Sequence, residues 1–138
     1  MDIQVNPEGD LVLIDDDEME IDIFQRLLSR SQLTNPLRPF QSGESFLEFL
    51  EEVRAGRAPM PALVLVDVRM PTMDGFETVR RVRADQFFSN LPLVIMFSNS
   101  DSDRDTDMAK EVGADGFQVK PTGSKDYIAF LDSLAGSA

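Results

Sequence analysis

Three runs constrain this chain more than any other feature: "LVLI" at 11–14, "ALVLVDV" at 62–68 and "LPLVIMF" at 91–97. Each is apolar at consecutive positions rather than at every second one. A strand with one wet face alternates, whereas a strand apolar throughout is covered on both sides, as in a parallel sheet sandwiched between helices. Helical patterns fall between and after these runs. Residues 18–33 carry Met19, Ile23, Leu27 and Phe24 or Leu28 at helical spacing, and 44–56 carry Phe46, Leu47, Leu50 and Val53, with Gly56 as a C-cap. A third helix is predicted over 75–87 after Asp74, a short and very polar one over 101–114, and a last one over 124–135 with Tyr127, Ile128, Phe130, Leu131 and Leu134. The stretch 37–43 is interrupted by Pro39 and reads as an edge strand, and 115–119 reads as a fifth. Strand and helix alternate five times, so the fold class expected is α/β, a doubly wound five-stranded parallel sheet with helices on both faces.

The 138 residues fit one domain. Its expected extent is 10–135, preceded by a short polar arm over 1–9 and with no output domain appended. The start of the chain has neither the basic nor the apolar region of a signal peptide, and no run approaches the ~20 apolar residues of a membrane span. The expectation is a soluble, cytoplasmic chain. With 25 Asp and Glu against 13 Lys and Arg, the net charge is −12, which argues against direct nucleic-acid binding. There is no histidine and no cysteine. Imidazole bases, thiolate nucleophiles and imidazole or thiolate metal ligands are therefore excluded, and any phosphohistidine must sit on a partner.

In open parallel sheets, ligands bind beyond the carboxyl ends of the strands. The first run delivers Asp15 and Asp16, the central run delivers Asp67, the fourth delivers Ser98, Asn99 and Ser100, and the fifth delivers Lys120. Singly, each has an ordinary explanation: turn chemistry for Asp67, a helix start for the acids at 15–17, surface polarity for Lys120. Together they are a constellation. Three carboxylates at one place repel one another and raise each other's pKa unless a cation joins them. An all-oxygen set suits a hard ion, Mg²⁺ first and Mn²⁺ second. Lys120 offers a mobile positive charge for phosphate, Ser98 a hydroxyl donor, and an Asp carboxylate can form an acyl phosphate. These are the parts of a phosphoryl-transfer site, where positioning and charge neutralisation carry most of the catalysis.

The segments "LVLIDDDE", "LVLVDVRMPTMDGFE", "LPLVIMFSNS" and "GADGFQVKP" resemble the response-regulator receiver domain of two-component signalling, a CheY-like, flavodoxin-like (βα)5 fold with strand order 2-1-3-4-5. The resemblance covers 10–135 and is nearest to stand-alone regulators paired with bacterial phytochrome kinases. It implies Asp67 as phosphoacceptor, taking the group from a sensor histidine kinase or a histidine phosphotransfer protein. It also implies Mg²⁺ on Asp15, Asp16, Asp67 and the backbone carbonyl of Arg69, and phosphoryl contacts from Ser98 and Lys120. Ser98 and Phe117 would be the switch pair, and the Lys120–Pro121 bond would be cis. Output would pass to a downstream protein target, with a homodimer through the face formed by 101–135 as a further expectation.

Some positions depart from the family's commonest pattern. Asn99 stands where a small residue is usual and could restrain Ser98. Phe117 lacks the hydroxyl of the more usual tyrosine. Arg69 and Ser100 lie two residues past Asp67 and Ser98 and are candidates, with Asn99, for tuning phosphoryl lifetime or motion. Two other classes compete: a pseudo-receiver that binds partners without phosphate, and a Mg²⁺-dependent phosphatase with an Asp nucleophile. The second usually needs an acid two residues after the nucleophile, where this chain has Arg69.

Overall fold

The computed structural model describes residues 3–135. Five strands, β1 (Leu11–Ile14), β2 (Leu37–Phe40), β3 (Leu63–Asp67), β4 (Val94–Ser98) and β5 (Gly116–Val119), form one parallel sheet in the order β2-β1-β3-β4-β5. Five helices follow them in turn: α1 (Glu18–Leu28), α2 (Gly43–Arg54), α3 (Gly75–Ala84), α4 (Asp103–Val112) and α5 (Ser124–Ala135). This is the expected doubly wound (βα)5 architecture, with β2 at an edge.

The three apolar runs feed two cores because successive side chains point to opposite faces of a sheet. Val12, Ile14, Val64, Val66, Val94 and Met96 face Phe46, Leu50 and Val53 of α2, Phe76, Val79 and Val82 of α3, and Ala109 and Val112 of α4. Leu11, Leu13, Leu63, Leu65, Ile95 and Phe97 face Phe24, Leu27 and Leu28 of α1 and Tyr127, Phe130, Leu131 and Leu134 of α5. The chain leaves β1 toward β2 and leaves β3 toward β4. The crevice between the ends of β1 and β3 is therefore the topological switch point where such sheets bind ligands.

The starts of four of the helices are set by side-chain caps that accept a free backbone N–H. Asp17 caps α1, Ser42 caps α2, Asp74 caps α3 and Ser102 caps α4. Several boundaries differ from expectation. Helix α1 stops at Leu28 rather than Leu33, because the hydroxyls of Ser29 and Ser31 donate to the carbonyls of Arg26 and Leu28 and so compete with further helix. Its buried stripe is Phe24, Leu27 and Leu28, while Met19 is 70% and Ile23 36% exposed. Helix α3 ends at Ala84, where Asp85 caps a separate 3₁₀ turn over Gln86–Phe88. Strand β4 begins only at Val94, after a cis Leu91–Pro92 bond.

The Lys120–Pro121 bond is not cis; Leu91–Pro92 is the cis bond among the described residues. Trans is the default even before proline, by roughly 0.5–1 kcal/mol. The polar arm also proves to be fastened down. Val5 is buried and its N–H donates to the Leu134 carbonyl at 2.8 Å. The buried Asn35 amide donates to the carbonyls of Asn6 and Gly9 at 2.8 and 2.7 Å.

Candidate functional site at the strand carboxyl ends

Asp15 and Asp16 follow β1, Asp67 ends β3, Ser98 ends β4 and Lys120 follows β5. All line one cleft of about 400 Å³, together with Asp17, Glu20, Arg69, Asn99 and Ser100. The constellation read from the strand ends is thus brought together, Asn99 and Ser100 included. Phe117 is not in this cleft. It sits half-buried on β5, in register with Met96 of β4 and packed on the core under α3 and α4.

Asp15, Asp16 and Asp67 each offer a carboxylate oxygen, and these lie within 4.8 Å of one another. Asp15 is buried, Asp16 exposed and the Asp67 side chain 13% exposed. Such a group of hard oxygens, open on one side, can hold a divalent cation. Lys120 is drawn into it, with its Nζ 3.0 Å from Asp15 Oδ2 and 3.6 Å from Asp67 Oδ1. Burial alone would lower the pKa of that ammonium, but Asp67 and Asp15 outweigh it and hold it above its ordinary value.

The Asp67 carboxyl is pushed up to about 6. Burial is the largest cause; Lys120 opposes it, and the charges of Asp15 and Asp16 add to it. Mutual repulsion, the cause expected from the sequence, acts in the right direction but comes second to desolvation.

The backbone delivers these groups through tight local contacts. Gly75, at the start of α3, lies so close to the Asp67 carbonyl oxygen that a Cβ there would collide with it, and its N–H donates to the Val68 carbonyl at 2.9 Å. This is a close approach that only glycine permits. It explains the "MDG" that follows the central strand. On the other side of the cleft, the Ser98 hydroxyl accepts the Ser100 N–H at 3.0 Å, and the Ser98 carbonyl accepts the Lys120 N–H at 2.7 Å. Strand pairing therefore ties the lysine to the serine.

One residue beside the site was not singled out from the sequence. Asp105, only 4% exposed, receives the Arg69 guanidinium, with Nη2 3.0 and 3.3 Å from its two oxygens. A signal existed: positions 105, 109 and 112 share one helical face, and Ala109 and Val112 are the apolar anchors of α4. An acid on the buried stripe of a helix needs a partner.

Residues 11–132 match the family described as the response regulator receiver domain. A response regulator in red light signaling of R. palustris superposes with a TM-score of 0.80 at 32% identity, over 91% of this chain and 90% of that one. Among curated proteins, the probable methanogenesis regulatory protein FilR2 of Methanothrix harundinacea is 24% identical over 90% of this chain and 79% of that protein. The transcriptional regulatory protein AfsQ1 of Streptomyces coelicolor is 36% identical over 80% of this chain and 44% of that protein. The chain spans about half the length of several curated relatives it matches.

The chain belongs to the response regulator receiver domain family. Its cluster of Asp15, Asp67 and Lys120 is the kind that marks a receiver phosphoacceptor site, a switch worked by aspartyl phosphorylation rather than a conventional enzyme. Among the described residues, no helix is long and apolar enough to cross a membrane.

Proposed function

We propose that Asp67 accepts a phosphoryl group from the phosphohistidine of a sensor kinase or a histidine phosphotransfer protein. The observation that carries this reading is the Asp67 carboxylate, held mostly buried at the switch point between two acids and Lys120. An Asp67 oxygen attacks phosphorus as the P–N bond breaks, and the electron pair leaves with the imidazole. A carboxylate with a raised pKa is the more basic nucleophile and is still largely ionised at neutral pH. Mg²⁺ held by Asp15, Asp16, Asp67 and the Arg69 carbonyl would neutralise charge on the transferring group. Lys120, paired with Asp15 and within reach of Asp67, can follow the phosphoryl oxygens. The Ser98 hydroxyl, at the same cleft, can donate to one of them.

The kinase is of the bacterial phytochrome type in this reading. It is supported by the likeness to the R. palustris regulator and by 27% identity, at a TM-score of 0.74, to the bacteriophytochrome response regulator RtBRR. Output passes through the face of α4, β5 and α5, to a protein target or a second copy. The alternative of an aspartate-based phosphatase is disfavoured by Arg69, whose side chain is engaged with Asp105.

Incubation with acetyl phosphate and Mg²⁺, followed by intact mass measurement, should show one added phosphoryl group. Asp67→Asn should show none. Modification undiminished in Asp67→Asn removes the assignment, and no modification of either chain favours the pseudo-receiver. A phosphorylated bacteriophytochrome kinase should transfer faster than an unrelated kinase.

A further inference from the structure

Arg69 lies between two clefts. It lines the site cleft with Asp67, Ser98 and Lys120, and it also lines a neighbouring cleft of about 530 Å³ with Phe76, Asp105 and Met108. Both of its hydrogen bonds among the described residues run from Nη2 to Asp105, so the rest of its five-donor guanidinium is uncommitted. The side chain is 70% exposed, while that of Asp105 is 6% exposed. Arg69 is the sole side-chain partner of the Asp105 carboxylate among the described residues. Beyond the helix end itself, one exposed arginine therefore balances a buried acid in the first turn of α4.

That turn is otherwise held by polar contacts at the surface, the Ser102 Oγ accepting the Asp105 N–H at 3.1 Å and the Thr106 hydroxyl donating to the Ser102 carbonyl at 3.2 Å. Ser102, Asp103 and Arg104 are exposed, and the apolar anchors of the helix, Ala109 and Val112, lie farther along. A phosphoryl group on Asp67 would bring about −1.5 to −2 charges into the cleft that Arg69 already lines. Guanidinium binds phosphate oxygens through paired donors. A phosphoryl group is thus the stronger competitor for Arg69, and a carboxylate that loses its cation while buried is strongly destabilised. Asp105 can escape only by reaching water, which opens the turn that carries it.

We propose that Arg69 and Asp105 form a phosphoryl-responsive latch: Arg69 exchanges Asp105 for the phosphoryl group on Asp67, and residues 102–106 of the α4 start are released. The latch rests on the phosphoacceptor reading and adds a second route to the α4 face, separate from Ser98 and Phe117. Arg69 here is a positioning residue for α4.

The test is backbone amide NMR of the full chain with Mg²⁺, with and without beryllofluoride as phosphoryl mimic, in wild type, Asp105→Asn, Arg69→Gln and Ser98→Ala. Wild type should show displaced amides at 102–106 on loading. Asp105→Asn should already place those amides on the line between free and loaded wild type, and loading should then move them at least threefold less. Arg69→Gln should give the same released positions before loading, which guards against a folding defect peculiar to Asp105→Asn. Ser98→Ala should keep the displacement at 102–106 while losing that at 109–119. Equal displacement of 102–106 in wild type and Asp105→Asn overturns the latch, as does a loaded wild type with 102–106 unmoved. Absence of beryllofluoride binding and of acetyl phosphate modification in wild type would instead remove the phosphoacceptor reading, and the latch with it.

Discussion

The aromatic cluster beneath α1 and α5 and the surroundings of α4 are held by different physics. Beneath α1 and α5, Phe97 is 1% exposed, stacks on Phe130 at 5.6 Å and 19°, and meets Tyr127 and Phe24 edge-on at 5.9 and 6.4 Å. Around α4 the helix buries only Ala109 and Val112 in the core, with Met108 partly buried against it, and charges do much of the holding. Arg69 pairs with Asp105 at one end of α4. At the other, Arg83 donates to the carbonyls of Gly113, Phe88 and Pro92 and pairs with Asp115. Aromatic packing is indifferent to a new charge some ångströms away, whereas ion pairs are not. A phosphoryl signal delivered to the strand ends should therefore be felt around α4 and β5 before it reaches the aromatic packing under α1 and α5.

The largest expected effect breaks the packed side. Phe97→Ala empties a fully enclosed aromatic site, and losses of about 3–5 kcal/mol follow such truncations. Val112→Ala, at the largest buried apolar side chain of α4, removes two methyl groups and should cost about 1–2 kcal/mol. Chemical denaturation of both measures the contrast. Equal losses would mean that α4 is anchored as firmly as the aromatic side.

This contrast also explains what the sequence could reveal. Runs such as "LVLVD" announce a doubly covered strand, and the residue after each run is placed by the chain itself, so Asp15, Asp16, Asp67, Ser98 and Lys120 were legible together. Helix phase was less so. Met19 and Ile23 fit the same spacing as Leu27, and only the packed structure shows that the stripe turns through Phe24 and Leu28 instead. The pairing of Arg69 with Asp105 spans 36 residues, and no local pattern encodes which of many acids a given arginine meets. Asn35, which binds the arm through a side-chain amide, escaped for the same reason.

The next effect sharpens the electrostatic side at the site itself. In metal-free protein the Asp67 carboxyl is raised to about 6, against ~3.9 in the unfolded chain. Between those values the folded state holds the extra proton, so stability falls as pH rises through the window and the full penalty is present above it. Below about pH 4 both states are protonated and the penalty vanishes. Asp67→Asn removes the ionisable group. It should be more stable than wild type at pH 7 by on the order of 1–2 kcal/mol after allowance for solvent screening, with the gap closing toward pH 4. Saturating Mg²⁺ should shrink or reverse the gap at pH 7, because it binds the folded wild type. Thermal unfolding across pH, with and without Mg²⁺, reads all three. A gap independent of pH would show that the Asp67 charge is not what strains the site.

The smallest effect is expected at Asn99, and it tests whether the charged side is gated by a bulky neighbour. Asn99 follows the buried Ser98, is itself exposed, and lines the open cleft without a side-chain hydrogen bond among the described residues. A side chain already in water does not obstruct a hydroxyl turning inside the cleft. Ser98 is held instead by its own bonds, through the Oγ that accepts the Ser100 N–H and the carbonyl that fixes Lys120. Asn99→Ala should therefore change stability by less than about 0.5 kcal/mol, the usual range for exposed positions, and should leave intact the amide displacements at 109–119 on beryllofluoride loading. Ser98→Ala, one residue earlier, should abolish most of them while leaving Asp67 able to accept phosphate. If Asn99→Ala enlarged those displacements severalfold, the asparagine would be a brake on Ser98, and the response around α4 would be limited by packing at the cleft mouth rather than set by charge.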